Sequence, residues 1–137
     1  MTRVTLDSNI YISALVFGGK PMRLLAAAIE GEIEVAISAP IVEEVRRVLQ
    51  TKFGWSEERV VEAMETIGVA AEPVTATITL DVIQTDPDDN RVMECAVAAG
   101  SEFIVSGDSD LLAIGSFDGI AIVTASEFLA RFEGPGL

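Results

Sequence analysis

The chain contains no histidine. That absence excludes a Ser-His-Asp triad, a Cys-His pair, a His-ligated zinc and imidazole acid–base chemistry. A single cysteine, Cys95, allows no internal disulfide and no cysteine-built zinc site, and it points to a reducing, cytoplasmic setting. Lysine is nearly as scarce, with Lys20 and Lys52 alone and none in the second half. No apolar run approaches the roughly 18 residues that mark a membrane span. Asp7 also comes too early for the apolar region of a signal peptide. What the chain does have is acid: 22 Asp plus Glu against 9 Lys plus Arg, a net charge of −13 over 137 residues. Half of the residues are hydrophobic, so this is no disordered acidic tail, and the length suits one domain, residues 1–137. Chemistry here falls to carboxylates, hydroxyls, amides or a bound metal.

The order of elements follows from periodicity. Arg3 to Asp7 alternates polar and apolar residues as a short strand. Ile10 to Phe17 reads as a helix stopped by Gly18-Gly19, and Pro21 opens a second over Met22 to Ile29, ended by Gly31. Ile33 to Ile37 is a strand. Ser38 N-caps a helix to about Phe53, and Ser56 caps another to about Ile67. Val69 to Gln84 is β-rich but broken by Pro73, which gives a strand followed by looser extended chain. A helix from the Asp86-Pro87-Asp88-Asp89 turn runs to Ala99, and Phe103 to Ser106 is a strand. Leu111 and Leu112 sit in a short helical turn, and Ile120 to Val123 is the last strand. Thr124 with Glu127 forms a capping box for a helix through Phe132. Strands alternating with helices predict one α/β domain with an open parallel sheet covered on both faces.

Position then sorts the acids. Asp7 closes the first strand, and Asp108 and Asp110 follow the strand Phe103 to Ser106. In open α/β sheets ligands bind outside the carboxyl ends of strands, so these three stand where a site belongs. From Ser38 onward, Ile41, Val45, Val48 and Leu49 form an apolar stripe that includes Glu44. Glu43 points away, with Arg47 four residues on as an ordinary surface partner. A carboxylate on a core-facing stripe must meet a cation, a metal or a donor. Asp89 repeats the pattern, since Val92, Met93, Ala96 and Val97 continue its face. Asp86 and Asp88 are accounted for by the helix dipole, and Glu94 and Glu102 by solvent. A parallel sheet can gather Asp7, Glu44, Asp89, Asp108 and Asp110 in one cleft, where they cannot all stay ionised uncompensated. An all-oxygen cluster suits Mg²⁺ or Mn²⁺, with Ser8, Asn9 and Ser106 as supporting polar groups.

Assembled in this order, the segments resemble those of the PIN-domain nucleases. They are Val4-Thr5-Leu6-Asp7-Ser8-Asn9, Ser38 to Leu49 with Glu44, Asp86-Pro87-Asp88-Asp89-Asn90, and Ile104 through Leu112 with Asp108 and Asp110. The closing Ile122 to Leu129 resembles the tail of one prokaryotic subgroup. The resemblance implies a three-layer α/β/α fold with an open, mainly parallel five-stranded sheet. It further implies a metal-dependent endoribonuclease acting on RNA, with Mg²⁺ or Mn²⁺ in an acidic pocket. The implied setting is the toxin component of a toxin–antitoxin pair, with an antitoxin protein as partner and a homodimer as the assembled form. Asp7, Glu44, Asp89 and Asp108 match the four pocket acids, Asp110 an additional one, and Asn9 and Ser106 their polar neighbours. Ser109 stands where the subgroup often has a basic residue.

Hydrolysis by water predicts a 5′-phosphate and a 3′-hydroxyl as products. Arg46, Arg47 and Lys52, the densest basic group, are the candidate RNA contacts, against a plainer reading as surface ion pairs. The strongly negative charge argues against tight metal-free binding of nucleic acid. Aspartyl phosphatases and phospho-accepting receiver domains also place an Asp after the first strand. Both use a late lysine to meet phosphate, which this chain lacks. The alternative from another class is a non-catalytic module that keeps the cleft to bind a metal or a partner.

Overall fold

The computed structural model describes residues 1–133. Its sheet holds β1 (Arg3–Leu6), β2 (Glu34–Ile37), β3 (Ala71–Pro73), β4 (Phe103–Val105), β5 (Ser116–Phe117) and β6 (Ile120–Val123), in the order β3-β2-β1-β4-β6-β5. All pairings are parallel except β5 with β6. The helices are α1 (Ser8–Val16), α2 (Gly19–Ile29), α3 (Ala39–Thr51), α4 (Glu57–Ala70), α5 (Pro87–Ala99), α6 (Ser109–Ile114) and α7 (Ala125–Glu133). No single helix among the described residues is long and apolar enough to cross a membrane.

Val4, Thr5 and Leu6 are all buried, although neighbours along a strand point to opposite faces. The sheet is therefore covered on both sides, as a parallel sheet requires. Helix α5 packs on β1, β2 and β4. Local signals set two helix starts as expected, whereas Ser38 stands at the N-cap of α3 with its buried hydroxyl making no cap bond. Ser56 Oγ accepts the Arg59 N–H at 3.2 Å, and Thr124 and Glu127 exchange bonds of 3.0 and 3.1 Å in a capping box. Cys95 lies wholly buried as a small apolar residue. Half-buried Trp55 packs against the core and carries the Arg59 guanidinium 4.0 Å from its ring.

Two elements differ from the sequence reading. Among the described residues the sheet has six strands, because Ser116–Phe117 folds back antiparallel on β6. Asp118-Gly119, both at positive φ, make the tight turn that this hairpin needs. From Val69 to Gln84 only Ala71–Pro73 is a strand, since α4 runs on to Ala70 and takes Val69 with it. Pro73 is tolerated because β3 is the sheet edge.

Tyr11 is fully buried, and its hydroxyl has no hydrogen-bond partner among the described residues. A desolvated, unpaired hydroxyl costs more than its absence. Tyr11→Phe is therefore expected to stabilise the domain by about 1 kcal/mol in urea unfolding.

Candidate metal centre

The chain runs β1, β2, β3 toward one edge, then returns to place β4 on the other side of β1. Between β1 and β4 lies the topological switch point, where such sheets open a crevice at their carboxyl ends. Asp7 leaves β1 there and Asp108 leaves β4. The two are linked through one hydroxyl: Ser106 Oγ donates to Asp7 Oδ2 at 2.7 Å and accepts the Asp108 N–H at 2.9 Å. Ser8 donates to the other Asp7 oxygen at 3.2 Å. Asp108 in turn caps α6, its Oδ1 accepting the N–H groups of Asp110 and Leu111 at 2.8 and 3.1 Å.

The start of α5 supplies the remaining groups. Carboxylate oxygens of Asp86, Asp89 and Asp108 all lie within 4.8 Å of one another. Asp89 is 4% exposed, and its buried Oδ2 has no hydrogen-bond partner among the described residues. Burial and then the adjacent Asp108 charge push its carboxyl up to about 8. Asp7 is also raised, first by burial, against the opposing hydroxyls of Ser106 and Ser8. Glu44 is raised by burial too, with the Ser8 hydroxyl opposing and the charges of Asp88, Asp7 and Asp86 adding. No Lys or Arg among the described residues pairs with Asp7, Asp86, Asp89 or Asp108. An all-oxygen donor set with an orphaned buried oxygen fits a hard divalent cation.

A family model for the PIN domain matches residues 3–110. The chain belongs to the PIN-domain family. No curated protein sequence gives a significant match. Among solved structures, the PIN domain is similar to VapC20 of Mycobacterium tuberculosis, a toxin that cleaves the sarcin–ricin loop. The identity is 18% with a TM-score of 0.59, over 86% of this chain and 98% of the other. It is also similar to VapBC2 of Rickettsia felis, solved bound to a DNA fragment from its promoter. Here the identity is 12% with a TM-score of 0.56, over 88% and 97% of the two chains. At these identities the likeness is one of fold.

The sequence-derived candidates occupy distinct places around this PIN-domain crevice. Asp89 and Asp108 fall in the three-carboxylate group, and Asp7 is joined to Asp108 through Ser106. Glu44 is half-buried on α3, close enough for its carboxyl to feel both Ser8 and Asp7. Asn9 is exposed on the first turn of α1. Asp110 stays outside the group; it is exposed, and its Oδ2 accepts the Thr85 hydroxyl at 2.8 Å. Arg47 lies 3.8 Å from Asp88 at the start of α5, whereas Arg46 pairs with Glu43 at 2.8 Å. The surface partner of Glu43 is thus Arg46, three residues on. Lys52 is exposed, with its ammonium 5.7 Å from the centre of the Phe53 ring.

Two residues escaped the sequence reading. Asp86 caps α5 as a helix-dipole acid should, accepting the Asp88 N–H at 3.2 Å, yet it also joins the carboxylate group. Its spacing of one helical turn before Asp89 was the available signal. Glu94 is not solvated but 6% exposed, and its Oε2 accepts the Leu80 N–H at 2.7 Å.

Proposed function

We propose that this PIN domain is a Mg²⁺- or Mn²⁺-dependent endoribonuclease, the toxin component of a toxin–antitoxin pair acting in the cytoplasm. The observation that carries the reading is the carboxylate group at the β1/β4 switch point, with Asp89 Oδ2 buried and, among the described residues, unpaired. Asp86, Asp89 and Asp108 would hold the cation, with Asp7, Glu44 and Asp110 alongside. A divalent cation there would lower the pKa of a water and stabilise charge on the phosphate, chemistry that histidine cannot supply here. Ser106 keeps Asp7 and Asp108 in register with a single hydroxyl. Ser8 orients the other Asp7 oxygen, and Asn9 adds a polar group beside it.

Arg47 is the best-placed phosphate contact. Its guanidinium borders the acidic crevice on a long, exposed pairing with Asp88, which costs little to exchange. Arg46, on the α4 side of α3, and Lys52, at its C-terminal end, are the further phosphate contacts of this reading. A homodimer and an antitoxin protein belong to the same reading. The similarity to a sarcin–ricin-loop-cleaving toxin and to a VapBC complex supports it at the level of fold.

The test is cleavage of an RNA panel, a sarcin–ricin hairpin included, by the purified full chain. Cleavage is expected with Mn²⁺ or Mg²⁺ and not with EDTA, and the fragments carry a 5′-phosphate and a 3′-hydroxyl. Equal cleavage in EDTA overturns the metal mechanism. Tight Mn²⁺ binding without cleavage of any RNA makes the protein a non-catalytic module. Growth arrest on induction, relieved by the product of an adjacent reading frame, tests the toxin assignment.

A further inference from the structure

Residues 74–86 lie between β3 and α5 without a helix or strand of their own. Their backbone N–H and C=O groups must find partners elsewhere. Side chains of α5 supply them at Leu80, Val82 and Ile83. Asn90 is 1% exposed and bonds on three sides. Its Oδ1 accepts the N–H groups of Val82 and Ile83, both at 2.9 Å, and its Nδ2 donates to the Ile83 carbonyl at 2.6 Å. Nearby, Arg91 donates to the Leu80 carbonyl at 2.9 Å and Glu94 accepts the Leu80 N–H at 2.7 Å. This segment ends in Asp86, whose carboxylate is held, among the described residues, only by the Asp88 N–H. Where Asp86 sits therefore depends on where the chain enters α5.

We propose that Asn90 is a positioning residue of the metal centre. By clamping Val82 and Ile83 it fixes the approach to α5, so that Asp86 stays together with Asp89 and Asp108. The inference rests on the metal reading above. Consecutive helix positions point about 100° apart, so Asp89 faces the crevice while Asn90 turns to the incoming chain. Only an amide meets this site's demands, with one oxygen for two N–H groups and one N–H for a carbonyl. Aspartate would keep both accepted bonds but set an anionic oxygen against the Ile83 carbonyl, and serine has no second polar atom.

The test uses the full chain, with Asn90→Ala compared against Glu94→Gln. Glu94 tethers Leu80, farther from Asp86, so its variant serves as the control. Titration calorimetry with Mn²⁺ is expected to show binding weakened about 10- to 100-fold in Asn90→Ala, the usual cost of losing a residue that orients ligands. Glu94→Gln is expected to stay within about twofold, because glutamine keeps an oxygen for the Leu80 N–H and leaves the Asn90 bonds untouched. In metal-free wild type the Val82 and Ile83 amides are expected to exchange slowly, and Asn90→Ala to release them while α5 stays protected. Unchanged Mn²⁺ affinity in Asn90→Ala overturns the positioning role alone. A wild type that binds no Mn²⁺ overturns the metal reading and this proposal together. Free exchange of Val82 and Ile83 in wild type also overturns the role, with no variant needed should Asn90→Ala fail to fold.

Discussion

Asp7→Asn is expected to lower RNA cleavage at least about a hundredfold while leaving the fold intact. Residues that merely orient metal ligands already cost 10- to 100-fold when lost, so a pocket carboxylate should sit at or above the top of that range. The more telling half of the expectation is stability. Asp7 is 3% exposed, and burial together with the Asp108 charge disfavours its ionised form. An asparagine of the same shape keeps an oxygen for the Ser106 hydroxyl and can donate to Ser8, while removing a charge from a crowded site. The metal-free variant should therefore melt at the same temperature as wild type or higher. Asp118→Asn is the matched control. Asp118 is exposed in the turn between β5 and β6 and belongs to none of the groups around the crevice, so its variant should keep cleavage within about threefold. A large loss in both variants, or a melting temperature that drops with activity in Asp7→Asn, would show that charge or folding explains the loss.

How far the sequence reached depended on whether a residue's role is set locally. Asp7 and Asp108 were legible because a strand end fixes where its next residue lies. Asp89 was legible because helical periodicity put it in line with Val92, Met93 and Ala96, and the structure buries it. Asp86 was hidden by a sufficient local explanation: an acid at a helix start already satisfies the dipole. Asp110 follows from its nearness to Asp108 in sequence. Its bond to Thr85, the residue before Asp86, joins positions 25 apart in the chain, and no periodicity reports such a contact. Glu94 failed for the same reason, since its partner is a backbone N–H in an irregular segment. The 69–84 stretch is rich in strand formers, yet most of it pairs with no strand, because Asn90, Arg91 and Glu94 take its polar groups instead. The fold class survives such errors because the order of strands and helices determines it.

The second large effect is the response to pH. Asp89 has an ordinary value of 3.8 and is pushed up to about 8 in the folded protein. Between those values the native state binds a proton that the unfolded state has released. Stability of the metal-free protein is then full below the lower value, falls as pH rises, and levels off near 8. Asp7 and Glu44, raised in the same direction, steepen the fall. Glu127 is lowered by its Thr124 cap and has the opposite sign, but its window lies below its ordinary 4.5. Thermal melts without metal should thus decline from pH 5 to pH 8, and Asp89→Asn should flatten most of that slope. A cation must displace the Asp89 proton to use its unpaired oxygen, so its affinity runs the other way. One proton displaced per ion, with a pKa near 8, gives about a fiftyfold gain in Mn²⁺ affinity between pH 6 and pH 8, then a plateau. Saturating Mn²⁺ should therefore raise the melting temperature more at pH 8 than at pH 6. A metal-free stability that climbs across this window would mean that Asp89 is ionised throughout. Its buried oxygen would then be stabilised by a hydrogen-bond donor or a cationic side chain, with no metal needed.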